Sequence, residues 1–421
     1  MRDSHGLAPA SIGDRFRARI GDAAAKALVA EFARHPGPKT GLVLGGAFTD
    51  AGVPAVLTAA IDALTPPDTL TVVAGAAGVE FREQVAAMGS WVEQRVRVVD
   101  VLAEADPVDV VMLADLISGG ADEIRGELEG LGKHLNAGGV ICAAVAAAPF
   151  LAGDAGEEME RQSALYGVGS DLVLRNAPPV RVHRLRYTAP DAGLAERLEP
   201  LDRPSSVRLT RHMHIDSNGV AAAGLFLGAA AALRRALPKT GLWIVPTLAA
   251  PAVAAFFRDP ERSVPDDPAA IVAASDGKVL AVERVQEDRL GDEEFLRIAV
   301  FLSVLDVHVN RAPVAGTVVD YFRVDGGFAA AMKPEAVHNF AAYTVLETTR
   351  GRVAVAQRTR LIARRIVHRA PVGSLLARGE RFGLIRFGSR TDVYLPADAA
   401  TAAVAPGEKV RGGETTIARW V

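Results

Sequence analysis

The sequence has one cysteine, little net charge and no apolar run as long as the ~20 residues that a membrane-spanning helix needs. Cys142 has no second cysteine with which to form an intramolecular disulfide or a cysteine metal cluster. A formal net charge of −3 gives no electrostatic case for binding nucleic acid. The N-terminus, MRDSHGLAPAS, has no long apolar region and indicates no secretory signal. These absences predict a cytoplasmic protein with no nucleic-acid partner.

Apolar side chains, by contrast, are abundant. Hydrophobic residues make up 49% of the 421 residues and the mean hydropathy is +0.18, both of which are high for a soluble enzyme. A chain of this length is long for one hydrophobic core and indicates two domains. We predict an N-terminal domain at 1–217, an apolar, membrane-associating linker at 218–262 and a C-terminal domain at 263–421.

Short apolar runs alternate with amphipathic segments in the N-terminal domain. This alternation predicts a Rossmann-like α/β fold, in which helices cover both faces of a parallel sheet and ligands bind beyond the carboxyl ends of the strands. The predicted strands lie at 41–46, 69–75, 95–100, 108–115, 138–147 and 181–188. The predicted helices lie at 12–35, 52–64, 79–88 and 121–135.

Part of this domain resembles the class I S-adenosylmethionine-dependent methyltransferases. The resemblance rests on VDVVMLADL at 108–116, followed by a helix and LNAGGVI at 135–141. In that family the first strand leads into a glycine-rich loop that lets the cofactor approach. The resemblance therefore implies an S-adenosylmethionine-like site that contains Gly45, Gly46 and Asp100.

The acid that would hold the cofactor's ribose is absent from its usual place. The family's second strand normally ends in an acidic residue, whereas this one ends in VAG at 73–75. Asp50, Asp100 and Asp115 lie where other strand ends would present them, although helix caps and solvated loop acids have the same pattern. We expect weak or absent S-adenosylmethionine binding and a domain retained for scaffolding or substrate delivery.

Two apolar runs follow, at 219–237 and 241–257. Together they predict a helical hairpin that lies in one leaflet of a membrane, with Trp243 at the interface and Arg234 and Arg258 at the headgroups. The alternative is a pair of helices buried in a protein core.

From residue 271 onward the apolar pattern has a period of two, which predicts a mostly-β domain. The segments PVGSLLARGE and APGEKVRGGE each place two glycines six residues apart, at Gly373 and Gly379 and at Gly407 and Gly413. This repeat resembles the turn-strand-turn of lipoyl-like, barrel-sandwich modules.

Residues 381–396, RFGLIRFGSRTDVYLP, contain Gly388 and Ser389 at their centre. Alternating apolar residues on both sides predict two strands that meet at a tight bend. A serine on a strained bend can attack the carbonyl of the preceding residue, and glycine at that position does not block the approach. The resulting ester can undergo β-elimination, which cuts the chain, and the remnant of Ser389 can hydrolyse to a pyruvoyl group.

Five ordered motifs resemble the phosphatidylserine decarboxylase family in its short prokaryotic form. They are FFRDPER at 256–262, ASDGKV at 274–279, FLSVLDVHVNRAPVAG at 301–316, ARRIV at 363–367 and RFGLIRFGSRTDVYLP at 381–396. The resemblance implies cleavage between Gly388 and Ser389, a covalent pyruvoyl cofactor made from Ser389, and decarboxylation through a Schiff base. It also implies His308 as the base and Asp276 as the acid that pairs with it.

The chain departs from the family pattern at three places. Many relatives have a second histidine where this chain has Arg311. A frequent Asn-Glu-Arg triplet is replaced by HNFA at 338–341, and a usual Gln-Ile-Ala-Gly by QRTR at 357–360. The latter change predicts two extra cations, Arg358 and Arg360, near a substrate phosphate or carboxylate.

The sequence as a whole predicts a self-processing carboxy-lyase that is peripheral to the inner face of the cell membrane and converts phosphatidylserine to phosphatidylethanolamine and carbon dioxide. One alternative is decarboxylation of another amino-acid or seryl substrate, coupled to N-terminal methyl transfer. A second alternative is an unprocessed docking protein. No metal is expected, because His212 and His214 have no third ligand nearby, and a homo-oligomer is left open.

Overall fold

The computed structural model describes residues 20–46, 53–191, 193–201, 206–327, 329–330, 332, 334–359, 366–386 and 389–421. Gly388, Asp50, Arg360 and the first part of the predicted 12–35 helix lie outside these residues.

A seven-stranded sheet forms the N-terminal region. Its strands are β1 (Thr40–Leu44), β2 (Thr69–Val73), β3 (Val96–Val99), β4 (Val108–Leu116), β5 (Leu135–Ala146), β6 (Gly167–Val173) and β7 (Val180–Leu185). They are arranged in the order β3-β2-β1-β4-β5-β7-β6. The first five are parallel, and β7 is antiparallel to both β5 and β6.

Helices cover both faces of this sheet. They are α1 (Asp22–Ala33), α2 (Ala55–Asp62), α3 (Gly78–Ala87), α4 (Ser90–Glu93), α5 (Ala121–Gly132) and α6 (Pro149–Tyr166). A short helix, α7 (Leu194–Arg197), packs instead on Leu375 and Ala377 of the C-terminal region. Alternate residues of β4 pack into different clusters: Val110 and Met112 lie with α1 and α2, whereas Val111 and Leu113 lie with α5 and α6. Both faces of the sheet are thus buried, which confirms the predicted Rossmann-like fold.

A helical hairpin projects from a small sheet that follows. The sheet contains β8 (Ser206–Thr210), β9 (Met213–Asp216) and β10 (Arg258–Pro260), and the hairpin contains α8 (Ser217–Ala236) and α9 (Ile244–Phe256). Asp216 caps α8 by accepting a hydrogen bond from the Asn218 amide at 2.9 Å.

Most of the hairpin's side chains are not packed inside the protein. Gly219 and Ala230 are the buried residues of α8, and Ala250 and Phe256 those of α9. By length and composition, α8 is able to cross a membrane. The alternative of two buried core helices is wrong, because the rest of the protein covers so little of them.

The C-terminal region is mostly β. An eight-stranded antiparallel sheet has the order β19-β15-β16-β17-β21-β13-β12-β23, and two three-stranded sheets have the orders β14-β20-β18 and β11-β24-β22. The strands are β11 (Ala270–Val272), β12 (Gly277–Gln286), β13 (Glu294–Leu302), β14 (Val309–Arg311), β15 (Gly316–Val324), β16 (Ala341–Thr348), β17 (Gly351–Arg358), β18 (Ile366–His368), β19 (Leu375–Leu376), β20 (Arg381–Ile385), β21 (Ser389–Pro396), β22 (Ala400–Ala402), β23 (Lys409–Val410) and β24 (Thr416–Trp420).

The glycine repeat forms two matching turns. Gly373, Gly379, Gly407 and Gly413 have φ values of 90°, 79°, 101° and 80°, in the left-handed region that favours glycine. The short strands β19 and β23 lie between the members of each pair.

Buried polar contacts join the first of these turns to the N-terminal sheet. Arg34 forms a 2.5 Å ion pair with Glu380, and both side chains are almost fully buried. Arg186 donates to the Gly373 carbonyl at 2.6 Å, and Ser374 donates to the Val168 carbonyl at 2.7 Å. Breaking such a pair would leave a buried charge uncompensated, so these contacts hold the two regions together.

Candidate active site

The predicted cleavage point lies where the chain passes from one sheet to another. Strand β20 belongs to a three-stranded sheet, whereas β21 belongs to the eight-stranded sheet and begins at Ser389. Ser389 is in register with Leu302 of β13, and Leu384 of β20 is in register with Val309 of β14. The two strands predicted around Gly388 are therefore present, and the tight bend predicted between them, at 387–388, lies outside the described residues.

His308 lies directly before β14, next to this junction. The Ile385 amide donates a hydrogen bond to the His308 carbonyl at 3.2 Å, three residues before Gly388. The imidazole is buried, and the Phe256 ring packs on it with the ring centroids 4.3 Å apart. Nδ1 of His308 lies 2.9 Å from the Asp306 carbonyl, to which it must donate because a carbonyl only accepts.

The other ring nitrogen of His308 is poised to accept a proton. Nε2 is buried and has no hydrogen-bond partner among the residues that the structure describes. Burial lowers the pKa of His308, an effect that the Asp306 carbonyl and carboxylate oppose and that the Arg258 charge reinforces. The ring is therefore neutral at pH 7 and has its lone pair on Nε2, which is the form that a general base requires.

Asp276 forms its hydrogen bonds elsewhere. Arg262 donates to both carboxylate oxygens at 3.0 and 2.7 Å, and the Gly412 amide donates to one of them at 2.8 Å. In the part of the chain that the structure describes, no hydrogen bond joins Asp276 to His308. The predicted pair is thus not formed in the uncleaved chain, because Arg262 neutralises the acid and the Asp306 carbonyl orients the histidine.

Ion pairs and a hydrogen bond connect the ordered sequence motifs to one another. Asp259 of FFRDPER bonds Arg311 at 3.0 Å and Arg381 at 2.5 Å. The Ser275 hydroxyl of ASDGKV is 2.6 Å from the Thr391 hydroxyl of the last motif. Arg311 is therefore a buried structural cation and does not replace the second histidine of other family members as an acid or base.

Two buried amides near the junction were not predicted. Gln357 Nε2 donates to Asn310 Oδ1 at 2.6 Å, and this bond joins β17 of the large sheet to β14 of the small one. The remaining amide atoms, Asn310 Nδ2 and Gln357 Oε1, are buried, and no described residue bonds to them. Gln357 is in register with Thr391, two residues after Ser389. The sequence signal that could have found them is a polar residue at an inward-facing position of a strand. A buried polar group normally has a hydrogen-bond partner, so such a residue indicates a contact with another polar group.

The polar atoms without a partner differ in what they can bond. Among the described residues, His308 Nε2 and Gln357 Oε1 are acceptors without a donor, and Asn310 Nδ2 is a donor without an acceptor. The carbonyl oxygens of a pyruvoyl group only accept hydrogen bonds, so of these three atoms only Asn310 Nδ2 could donate to one. This single donor is consistent with the cofactor that the sequence predicts.

The structure corrects the expectation for Arg358. Its guanidinium is buried and donates to Asp392 at 2.8 Å and to the hydroxyls of Tyr343 and Tyr394 at 2.8 and 3.1 Å. A cation so fully bonded is not available to a substrate phosphate or carboxylate.

The candidate cofactor loop in the N-terminal region is closed by a different acid from the one predicted. Gly45 and Gly46 have φ values of 83° and 85°, and the Gly46 amide donates to Asp115 at 2.8 Å. Asp100 instead pairs with Arg82 at 2.6 Å and is exposed. Asp100 therefore does not bond to the glycine loop. The loop follows β1 and Asp100 follows β3, and β2 lies between these two strands in the sheet.

Solved methyltransferases overlap with the N-terminal region of the chain. A precorrin-6y C5,15-methyltransferase from Geobacter metallireducens is 18% identical, covers 39% of this chain and 87% of its own, and gives a TM-score of 0.29. An O-methyltransferase from Streptomyces achromogenes is 12% identical, covers 39% and 81%, and gives 0.29. Likenesses at this level assign no activity.

The C-terminal region has much closer relatives. The family model described as "Phosphatidylserine decarboxylase" matches residues 250–418. A phosphatidylserine decarboxylase proenzyme from Geobacter sulfurreducens is 50% identical over 167 residues, which are 39% of this chain and 76% of the relative. One from Trichlorobacter lovleyi is 41% identical over 219 residues, 52% of this chain and 99% of the relative. The chain belongs to the phosphatidylserine decarboxylase family.

Proposed function

We propose that the chain is the proenzyme of a carboxy-lyase that converts phosphatidylserine to phosphatidylethanolamine and carbon dioxide. It cuts itself between Gly388 and Ser389 into chains of residues 1–388 and 389–421. The observation that carries this proposal is the buried His308, whose Nε2 has no partner in the described part of the chain and whose carbonyl bonds to β20, the strand before Gly388. Relatives with up to 50% identity are named phosphatidylserine decarboxylase proenzymes.

Each residue near the junction has a definite role in self-cleavage. His308 Nε2 takes the proton of the Ser389 hydroxyl as its oxygen attacks the Gly388 carbonyl. Asn310 Nδ2 donates a hydrogen bond to the negative charge that forms on the attacked oxygen. Asp276 holds the Arg262 guanidinium and so fixes the start of β12, a structural role.

The mature enzyme uses the pyruvoyl group as an electron sink for the carbanion that decarboxylation creates. The chain's own contribution is to exclude water and to manage protons. The Phe256 ring covers His308 and keeps solvent from its face. After cleavage His308 is again neutral, so its Nε2 must first take up a proton, for example from the substrate amine, before it can deliver one to the product carbon.

The apolar hairpin makes the enzyme a peripheral membrane protein on the cytoplasmic face of the membrane. Exposed apolar side chains line both helices, among them Leu225 and Phe226 of α8 and Val245 and Leu248 of α9. Arg234 lies over the Trp243 ring at 5.3 Å, where an interfacial aromatic and a headgroup cation belong. Such a surface binds a phospholipid bilayer by apolar insertion.

We keep the domain division at 1–217, 218–262 and 263–421 as part of this proposal. The β8–β10 sheet ties the linker to the N-terminal domain, because β9 at the end of that domain pairs with β10 in the linker. The ion pairs of Asp259 with Arg311 and Arg381 tie the linker to the catalytic domain. The two glycine turns form a lipoyl-like element within the catalytic domain. The N-terminal domain acts as a scaffold, since its glycine loop is closed by Asp115.

The experiment that tests this function is a lipid assay on the purified full-length protein. Vesicles that contain phosphatidylserine should yield phosphatidylethanolamine and carbon dioxide in equal amounts, and Ser389→Ala should yield neither. Free serine and other amino acids serve as competing substrates. Release of carbon dioxide from an amino acid, with no phosphatidylethanolamine formed, would establish the alternative decarboxylase. Arg358 is bonded to Asp392 and gives this alternative no support, whereas Arg360, the other extra cation, lies outside the described residues.

A further inference from the structure

A second apolar surface lies at the turn directly before His308. Val304 and Leu305 form the tip of this turn and are 58% and 82% exposed. The Asp306 amide donates to the Ser303 carbonyl at 3.0 Å, and the Ser303 amide donates to the Asp306 carboxylate at 2.7 Å. The turn is closed by these two bonds, so it presents its apolar tip in a fixed direction.

The turn is attached to the end of the hairpin. Arg258 donates one hydrogen bond to the Leu305 carbonyl and another, at 3.2 Å, to the Ala255 carbonyl in the last turn of α9. The Phe256 ring packs on His308. The Val304–Leu305 tip is therefore attached to the base of the hairpin, at the end of α9, and the histidine that follows it packs on the same helix end.

We propose that the Val304–Leu305 tip inserts into the same leaflet as the α8–α9 hairpin and so fixes His308 at the bilayer surface. This inference rests on the proposed membrane binding of the hairpin. The partner is a phospholipid bilayer, because two exposed apolar side chains at the end of a rigid turn, next to the half-buried Arg258, match acyl chains below a layer of anionic headgroups. A phosphatidylserine headgroup then reaches the active site without leaving the membrane.

The chain allows a direct test by site-specific labelling. Cys142 is its only cysteine and is fully buried, and burial raises the pKa of its thiol to about 12, so it does not compete for a thiol-reactive dye. An environment-sensitive dye is attached to Leu305→Cys, to Leu248→Cys in α9 and to Val79→Cys in α3. Leu248 and Val79 are 68% and 67% exposed and thus matched in accessibility.

Vesicles of equal parts phosphatidylcholine and phosphatidylglycerol are added, with and without nitroxide-labelled lipid. Dye at residues 305 and 248 should shift to shorter wavelength and be quenched by the nitroxide, whereas dye at residue 79 should do neither. Insertion at 248 but not at 305 would overturn this inference and leave the hairpin proposal intact. Insertion at neither would overturn both.

A second variant separates membrane contact from damage to the histidine loop. Leu305→Asp should weaken binding to the same vesicles by about tenfold or more, since a charge replaces an inserted apolar group. Its loss of decarboxylation should be larger on phosphatidylserine vesicles than on a monomeric short-chain phosphatidylserine. Equal losses on both substrates would show that residue 305 acts within the loop and would contradict the inference. Normal self-cleavage of the variant reports that it folds.

Discussion

The two candidate sites of this chain differ in how completely their polar groups are satisfied. At the glycine loop of the N-terminal sheet, the Gly46 amide is bonded to Asp115, and Asp100 is bonded to Arg82. At the sheet junction, His308 Nε2 and Asn310 Nδ2 are buried and have no hydrogen-bond partner among the described residues. Unsatisfied buried groups cost stability, and these two belong to residues that bond to or pair with β20, the strand before the predicted cleavage point. The comparison supports our proposal that the junction, and not the glycine loop, is the reactive site.

Replacing the base should have the largest effect. His308→Ala should slow self-cleavage by about 10²–10⁴, the usual worth of general-base assistance. The rate is measured as the appearance of the small chain on denaturing gels, with the unfolding temperature as a check on folding.

Asp276→Asn is the matched comparison for His308→Ala. It should slow cleavage much less, because Asp276 contacts Arg262 and Gly412 and has no bond to the histidine. Equal losses in the two variants would mean that the two residues pair during the reaction, as the family resemblance implies.

Asn310 offers a sharper test of the unsatisfied amide. Asn310→Asp keeps the oxygen that accepts from Gln357 but removes the free N–H, whereas Gln357→Ala removes the bond between the two amides. Loss of an oxyanion donor typically costs about 10²–10³ in rate. We therefore expect Asn310→Asp to cleave about 10²-fold more slowly than wild type, and Gln357→Ala to be affected far less. Wild-type cleavage by Asn310→Asp would limit Asn310 to a structural role.

The pH dependence of cleavage should reflect the buried histidine. Burial lowers the pKa of His308 below its ordinary value of 6.5, so the neutral base persists to lower pH than in an exposed histidine. The cleavage rate should be flat above pH 6.5 and should fall at lower pH, with a midpoint below 6.5. A midpoint above 6.5 would indicate that a carboxylate faces the ring instead.

The smallest effect should be seen in the affinity of the N-terminal domain for S-adenosylmethionine. The acid that would bond to the cofactor's ribose is missing after the second strand. Losing a charged hydrogen bond to a ligand costs ~1.5–3 kcal/mol, which lowers its affinity by about ten- to a hundredfold, so we expect weak or no binding. Calorimetric titration of the full chain measures this, with Gly46→Val as the control, because its added side chain would press on Ala114 and Pro54. If the wild-type chain binds S-adenosylmethionine with micromolar affinity and Gly46→Val does not, the glycine loop is a working ligand site and the contrast with the junction is wrong.

Much of the fold was predictable from the sequence, because the spacing of apolar residues indicates which faces of a helix or strand are buried. The strands that begin at Thr40, Thr69 and Val108 were predicted within a few residues, since both faces of each are covered. His308 and the strands around Gly388 were predicted from local sequence pattern and motif order.

Partners that are distant in sequence were not predictable in the same way. Nothing near Asp276 in the sequence reveals that Arg262 and Gly412 surround it, and nothing near Arg358 reveals Asp392. The Asn310–Gln357 bond depends on how two sheets pack against each other, which a pattern along one strand does not encode.

The central claim is self-cleavage at the sheet junction, and the mass of the purified protein tests it most directly. Denaturing mass spectrometry should detect two chains that correspond to residues 1–388 and 389–421, the smaller with a pyruvoyl group in place of an N-terminal amine. Ser389→Ala should give one chain of 421 residues. A wild-type protein that decarboxylates phosphatidylserine while its chain remains intact would contradict the account.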